Sequence, residues 1–291
     1  DSDGYELANR TDPLDPNHFL ASISGAAGYG GAQTGVVRVT AAAMVASNRY
    51  LHLPGTNAYV AVDGLFYNTP GQVSELTVMS WIRTTSTAYN IIASWDRSAA
   101  WRFSVGSERL GGFAGAVGFD TTDEFGNAHD LRGNILVNDG RWHHIAASYD
   151  PATGIKRVFV DGVLDQAATN AHPPGARLVG GSEIGIRYGF IGVGSDATNF
   201  NGTTIGKYYF QGDLDEVRLW NRGMIASEVR SNMYDAVTGA ESGLQAWFNF
   251  DDGTPNDDST NAYPAIFVNG ATTREGPYGY RRTVAAANSG A

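Results

Sequence analysis

Residues 141–150 read RWHHIAASYD, two imidazoles side by side with a tryptophan before them and an aspartate behind. Paired histidines suggest a metal centre or a general base. In a strand, however, neighbouring side chains point to opposite faces, so His143 and His144 cannot both reach one ion. Zinc needs three or four converging ligands, and His18, His52, His129 and His172 are scattered singly along the chain. A lyase would set a base beside a cation that stabilises an enolate. Arg141 and His143 are such a pair, but many surface pairs would serve as well. The residues therefore favour a structural reading of the run. A second acidic run, Asp213-Leu214-Asp215-Glu216, puts Asp213 and Asp215 on one strand face. Irregular stretches at 123–130 and 189–208 carry or adjoin Phe125, Tyr188, Phe190, Phe200, Tyr208 and Tyr209. Such rings stack on sugars, cover a sheet edge or pack on another subunit.

The elements that must position these residues are mostly strands. Period-two alternation marks 77–83 (TVMSWIR), 102–105 (RFSV), 144–149 (HIAASY), 156–160 (KRVFV), 183–187 (EIGIR) and 217–220 (VRLW). Asn138-Asp139-Gly140, Asp161-Gly162 and Asn201-Gly202 supply turns. Asp161-Gly162 predicts a tight hairpin, because Asp-Gly tolerates positive φ. Only 225–234 (IASEVRSNMY) reads as a helix, with Ile225, Val229 and Met233 spaced by four. The fold class is all-β, a two-sheet antiparallel β-sandwich with one short helix and extended terminal arms. The expected division is an N-terminal arm at 1–47, the sandwich at 48–276 and a C-terminal arm at 277–291.

Composition agrees. Thirty-seven glycines, fourteen tyrosines and six tryptophans with 17% charged residues suit an extracellular all-β protein better than a helical enzyme. A formal charge of −10 argues against nucleic acid as a partner and is compatible with divalent cations. The chain has no cysteine, so disulfides do not hold it. It has no run of eighteen apolar residues, so no membrane span is expected. It starts at Asp1 without a signal-peptide core, which reads as a processed product.

The succession LTVMSWIRT, NIIASWD, DGRWHHIAASYD, KRVFVDGVL and FQGDLDEVRLWNRGMIASEV resembles the laminin-G-like/pentraxin-like jelly-roll family, in its bacterial concanavalin A-like branch, over roughly residues 50–250. The resemblance implies that Trp142 packs in the core and that His143 or His144 hydrogen-bonds to backbone at the strand's entry. It also implies calcium at the sandwich rim, with Asp63, Asp96, Asp213 and Asp215 as candidate ligands. The related β-glucanases carry E-x-D-x-x-E on one strand, and no such run occurs here, so no enzyme is expected. The stretch 244–273 resembles the strand, acidic loop and strand usually found at the beginning of such domains; its place after the helix points to closure of the same sandwich, the alternative being the start of a following module. The opening DSDGYELANRTDPLDPN resembles the tail of a thrombospondin-type-3-like calcium repeat, matched by Asp3, Glu6, Asp12 and Asp15. The expected function is a non-enzymatic extracellular or cell-surface adhesion module, calcium-stabilised, that binds a glycan or surface protein. The alternatives are a homo-oligomeric subunit of a filament or surface layer built through the arms, and, third, a polysaccharide-degrading enzyme.

Overall fold

A computed structural model describes residues 48–63, 75–95, 100–106, 115–179, 188–197, 199–200, 207–235 and 237–276. The expected terminal arms, the strand expected at 183–187 and the Asn201-Gly202 turn lie outside these residues. The strands in chain order are β1 (Arg49–Pro54), β2 (Tyr59–Val62), β3 (Leu76–Arg83), β4 (Asn90–Trp95), β5 (Trp101–Val105), β6 (Ala116–Thr122), β7 (Ala128–Leu136) and β8 (Trp142–Asp150). They continue as β9 (Ile155–Val160), β10 (Val163–Ala168), β11 (Gly189–Ile191), β12 (Gln211–Trp220), then helix α1 (Ala226–Tyr234), β13 (Leu244–Phe248), β14 (Ala265–Val268) and β15 (Thr272–Glu275).

They form two antiparallel sheets. One has eight strands in the order β10-β9-β8-β3-β12-β1-β15, with β13 also paired to β12; the other has seven in the order β14-β2-β11-β4-β5-β6-β7. The long β12 is shared on one side: its first half pairs with β1 and its second half with β13. The expected sandwich with one short helix is the observed architecture.

Alternation explains the layering. Val78 and Ile82 of β3 and Ile145, Ala147 and Tyr149 of β8 join the core between the sheets, with Trp95, Phe103 and Phe119 from the opposite sheet. The intervening Met79 and Ala146 face outward, where Trp220, Met224 and Val229 cover them beneath α1. Beside them Tyr50, Trp81, Trp142 and Met233 form a further buried cluster. Strands β3 and β8 are thus buried on both faces, which their apolar runs permit.

Two local features follow from backbone chemistry. Asp161 and Gly162 both have positive φ, 51° and 71°, the conformation of the tight hairpin expected between β9 and β10. Helix α1 starts one residue later than expected. Ile225 is the N-cap and half exposed, and its N–H donates to Glu228 Oε2 at 3.0 Å. It therefore caps the helix and does not pack, leaving Val229 and Met233 as the buried pair.

One cation bridges the sheets from inside. Lys156 of β9 is fully buried and donates to the carbonyls of Phe119 and His129, each at 2.7 Å, on β6 and β7 opposite. Burial pulls its pKa down to about 7.

Candidate functional site

The histidine pair is divided as strand geometry demands. His143 Nδ1 lies 2.9 Å from Asp161 Oδ2 and Nε2 lies 3.1 Å from Asp139 Oδ1. The hairpin turn places Asp161 opposite the start of β8, where its Oδ1 also accepts the His144 N–H at 2.9 Å. The expected imidazole-to-backbone bond is therefore replaced by imidazole-to-carboxylate bonds. Burial pulls the His143 pKa down, but its bonds to Asp161 and the charges of Asp161 and Asp139 outweigh this and raise it. His144 points the other way, edge-on to Trp81 at 5.3 Å between ring centroids. Burial, with the Arg218 charge, drives its pKa to about 3 and keeps it neutral. Trp142 is buried as expected, but in the cluster on the sheet's outer face and not between the sheets. All three residues have partners within the fold.

A more promising arrangement lies nearby, on the same outer face. Cross-strand register sets His52 of β1 beside Asp213 of β12, and Asp213 beside Arg83 of β3. His52 Nδ1 meets Asp213 Oδ1 at 2.7 Å, while Arg83 Nε and Nη2 meet Asp213 Oδ2 at 2.9 and 2.8 Å. Arg83 Nη2 also donates to the Tyr50 hydroxyl at 3.1 Å. Its guanidinium carbon sits 5.2 Å from the Tyr50 ring centroid and 5.0 Å from that of Trp142, two rings that themselves meet edge-on at 5.5 Å. Burial lowers the Arg83 pKa, yet the Asp213 bond and charge raise it overall, so the cation is secure.

His52, Arg83 and Asp213 line an open cleft of about 430 Å³, together with Pro54, Thr84, Thr85, Gly140, Gln211 and Gly212. The rim is tied by Thr84 Oγ1 donating to the Gln211 carbonyl at 2.7 Å and by Gly140 N–H donating to the Thr84 carbonyl at 3.0 Å. Gly212 is required: its φ is 145°, and a Cβ there would stand 2.3 Å from the Arg83 carbonyl oxygen. Both Asp213 oxygens are engaged, whereas His52 Nε2, Arg83 Nη1, the Thr85 hydroxyl and the Gln211 amide make no hydrogen bond among the described residues. The cleft thus offers hydrogen-bonding groups on a fixed frame. Asp213 is the one carboxylate among its lining residues, and hydrolysis by an acid and nucleophile pair needs two.

The other expected site residues are distributed differently. Asp213 does not fit a calcium role, because a guanidinium and an imidazole already occupy both oxygens and a divalent cation would oppose Arg83. Asp215 is buried, with Oδ1 accepting the Glu216 N–H at 2.8 Å. Asp63 follows β2 in the other sheet. Among the described residues no three His, Asp or Glu side chains converge to hold a metal. Asp96, Asp3, Glu6, Asp12 and Asp15 lie outside the described residues. Many carboxylates instead accept backbone N–H groups, within turns or from a neighbouring strand. Asp123 takes those of Phe125 and Asn127, Asp165 those of Asn134 and Ile135, and Asp257 those of Trp247, Ser259 and Tyr263.

Of the expected sugar-stacking rings, Phe190 is buried against Tyr59 at 5.9 Å between centroids, so it packs and offers no face. Tyr188 and Phe200 are half-buried partners at 6.0 Å, and Tyr208 leans on Tyr89 at 4.6 Å. The cleft residues His52, Arg83, Thr85 and Gln211 carried no sequence signal; only Asp213 did, for another role.

The sequence profile of the concanavalin A-like lectin/glucanases superfamily matches residues 54–230. Human neuronal pentraxin-1 is 30% identical over 119 residues, 39% of this chain and 24% of that protein. The chain therefore spans about a quarter of the length of the curated relatives it matches. Among solved structures, one from Bacteroides ovatus assigned to carbohydrate binding superposes with a TM-score of 0.61 at 20% identity, covering 79% of this chain and 60% of that one. The heptameric SAP-like pentraxin of Limulus polyphemus superposes with a TM-score of 0.54 at 14% identity, covering 80% and 96%.

Proposed function

The chain belongs to the concanavalin A-like lectin/glucanases superfamily, and from that premise we propose that it is a non-catalytic extracellular binding module that takes a glycan in the His52–Arg83–Asp213 cleft. The observation that carries the reading is the cleft itself. Its charged frame is fixed by mutual bonds, several polar groups remain available, and the single carboxylate is already paired. Preorganised polar groups on a rigid sheet are what sugar hydroxyls require. The carbohydrate-binding description of the Bacteroides ovatus protein of the same fold supports it. No helix among the described residues is long and apolar enough to cross a membrane. A glycan array probed with the full chain, repeated with the Thr85→Ala/Gln211→Ala double variant, tests the proposal. Binding that falls at least tenfold in the variant is expected; unchanged binding moves the site elsewhere.

Calcium stays a proposal as well. Of the rim aspartates suggested by the resemblance, Asp63 is the described one whose carboxylate neither pairs with a cation nor accepts a hydrogen bond. Calorimetric titration of calcium into the full chain and into Asp63→Asn decides it; identical heats remove Asp63. A second reading, self-assembly, is favoured by the exposed Ile135 and Leu136 of β7 and Val163 and Leu164 of β10. Sedimentation across a concentration series, with Leu136→Lys as control, shows whether that edge pairs copies.

A further inference from the structure

We infer that the cleft prefers an acidic sugar, a hexuronic acid residue whose carboxylate is received by Arg83 Nη1 while His52 Nε2 accepts from a sugar hydroxyl. The inference rests on the glycan reading above and narrows it to one ligand class.

It starts from which groups of the cleft are left over. Asp213 Oδ1 is held by His52 Nδ1 and Oδ2 by Arg83 Nε and Nη2. The second hydrogen of Nη2 serves the Tyr50 hydroxyl at 3.1 Å. Of the five N–H donors of a guanidinium, the two on Nη1 remain, and the Arg83 side chain is 33% exposed. The imidazole bond fixes the tautomer on the same principle. With Nδ1 donating to the Asp213 carboxylate at 2.7 Å, Nε2 is left as an acceptor for a sugar hydroxyl. The Gln211 amide and Thr85 hydroxyl complete the rim.

Charge points the same way. The one acid in the cleft is neutralised in place by Arg83, and no other carboxylate among the described residues lines it. A chain of formal charge −10 thus has a cleft free of unpaired negative charge. The guanidinium cannot turn away from its ligand. Tyr50 and Trp142 hold it at 5.2 and 5.0 Å, and two bonds to Asp213 set its plane. A rigid guanidinium edge next to an imidazole matches a planar carboxylate better than a hydroxyl, because charge-assisted bonds are about twice as strong as neutral ones.

The test uses the full chain and two oligosaccharides of equal length, a hexuronate oligomer and the same oligomer with its carboxyl groups reduced to alcohols. Isothermal titration should show the uronate bound at least tenfold more tightly than the reduced form. Arg83→Gln should abolish that difference. Because Arg83→Gln leaves Asp213 without its cation and can unfold the site, the Arg83→Gln/Asp213→Asn variant removes both charges together, and a preserved thermal transition shows that it folds. It too should bind the two oligomers equally. Equal affinity of the unaltered chain for both oligomers, or a uronate preference that survives in the double variant, overturns the inference while leaving the glycan reading standing. No binding of either oligomer, in a chain that also captures nothing on the glycan array, overturns both.

Discussion

The two adjacent histidines of β8 do opposite things to stability because strand geometry gives them opposite surroundings. His144 has a folded pKa near 3 and His172 near 4, both pressed down first by burial, against an ordinary 6.5. Between those values and 6.5 the unfolded chain binds more protons. Their contribution is therefore whole above pH 6.5 and is lost as pH falls. His143 is the reverse. Its folded pKa lies above 6.5, so its contribution is complete below 6.5 and is lost as pH rises through the folded value. In urea titrations, His144→Leu should flatten the acid limb of the stability profile, since the isobutyl group keeps the contact with Trp81 but takes up no proton. His143→Gln should cost about 1 kcal/mol at pH 6 and less at pH 8, a charge-assisted bond being worth roughly 1.5–3 and Asp139 being well exposed. An equal cost at both pH values would mean that the imidazole serves by shape alone. The same substitutions should leave glycan affinity unchanged, which separates these residues from a catalytic role.

At the level of elements, the backbone is most exacting where the cleft is built. Gly212 combines φ of 145° with a Cβ position 2.3 Å from backbone oxygen, so Gly212→Ala should cost about 2–3 kcal/mol and weaken cleft binding. Gly270, with φ of 88° and open space around it, is the control, and Gly270→Ala should cost about 1 kcal/mol without touching binding. Thermal melts of the two variants, with the glycan titration repeated, check this. The comparison also shows which parts of the fold were legible beforehand. The Asp161-Gly162 hairpin was, because its signal is local and both residues must adopt positive φ. Strands with clean alternation were too, to within a few residues. For β12 the alternation shows as two separate pieces, 213–215 and 217–220, because a bulge between Asp215 and Arg218, with Glu216 at φ 50°, breaks the two-residue period. The cleft was not legible at all. His52 and Asp213 are 161 residues apart, and nothing local in either segment announces a cross-strand partner.

On the scale of the whole molecule, the sandwich is closed by strands that lie outside the segment the superfamily profile covers. Strand β1 ends at Pro54 where that segment begins, and β13, β14 and β15 follow its end at 230. They pair with β12, β2 and β1 respectively. A chain cut to 54–230 should therefore expose β2 and β12 as open edges, with the core beneath Phe248 and Phe250 uncovered. Expressed alone it should aggregate or bind a hydrophobic dye, whereas 48–276 should unfold in one cooperative transition by calorimetry. A soluble, cooperatively folding 54–230 fragment would show that the closing strands are dispensable. Acidic residues are likewise spread over the whole: several carboxylates accept backbone N–H groups, Asp123 within its own turn, Asp165 from β7, and Asp257 both locally and from β13. Strand β1 lies between β12 and β15, and this has a temporal consequence. His52 is translated long before its neighbours on either side, at 211–214 and 272–275. A ribosome-bound chain must hold that segment unpaired until both partners have been made.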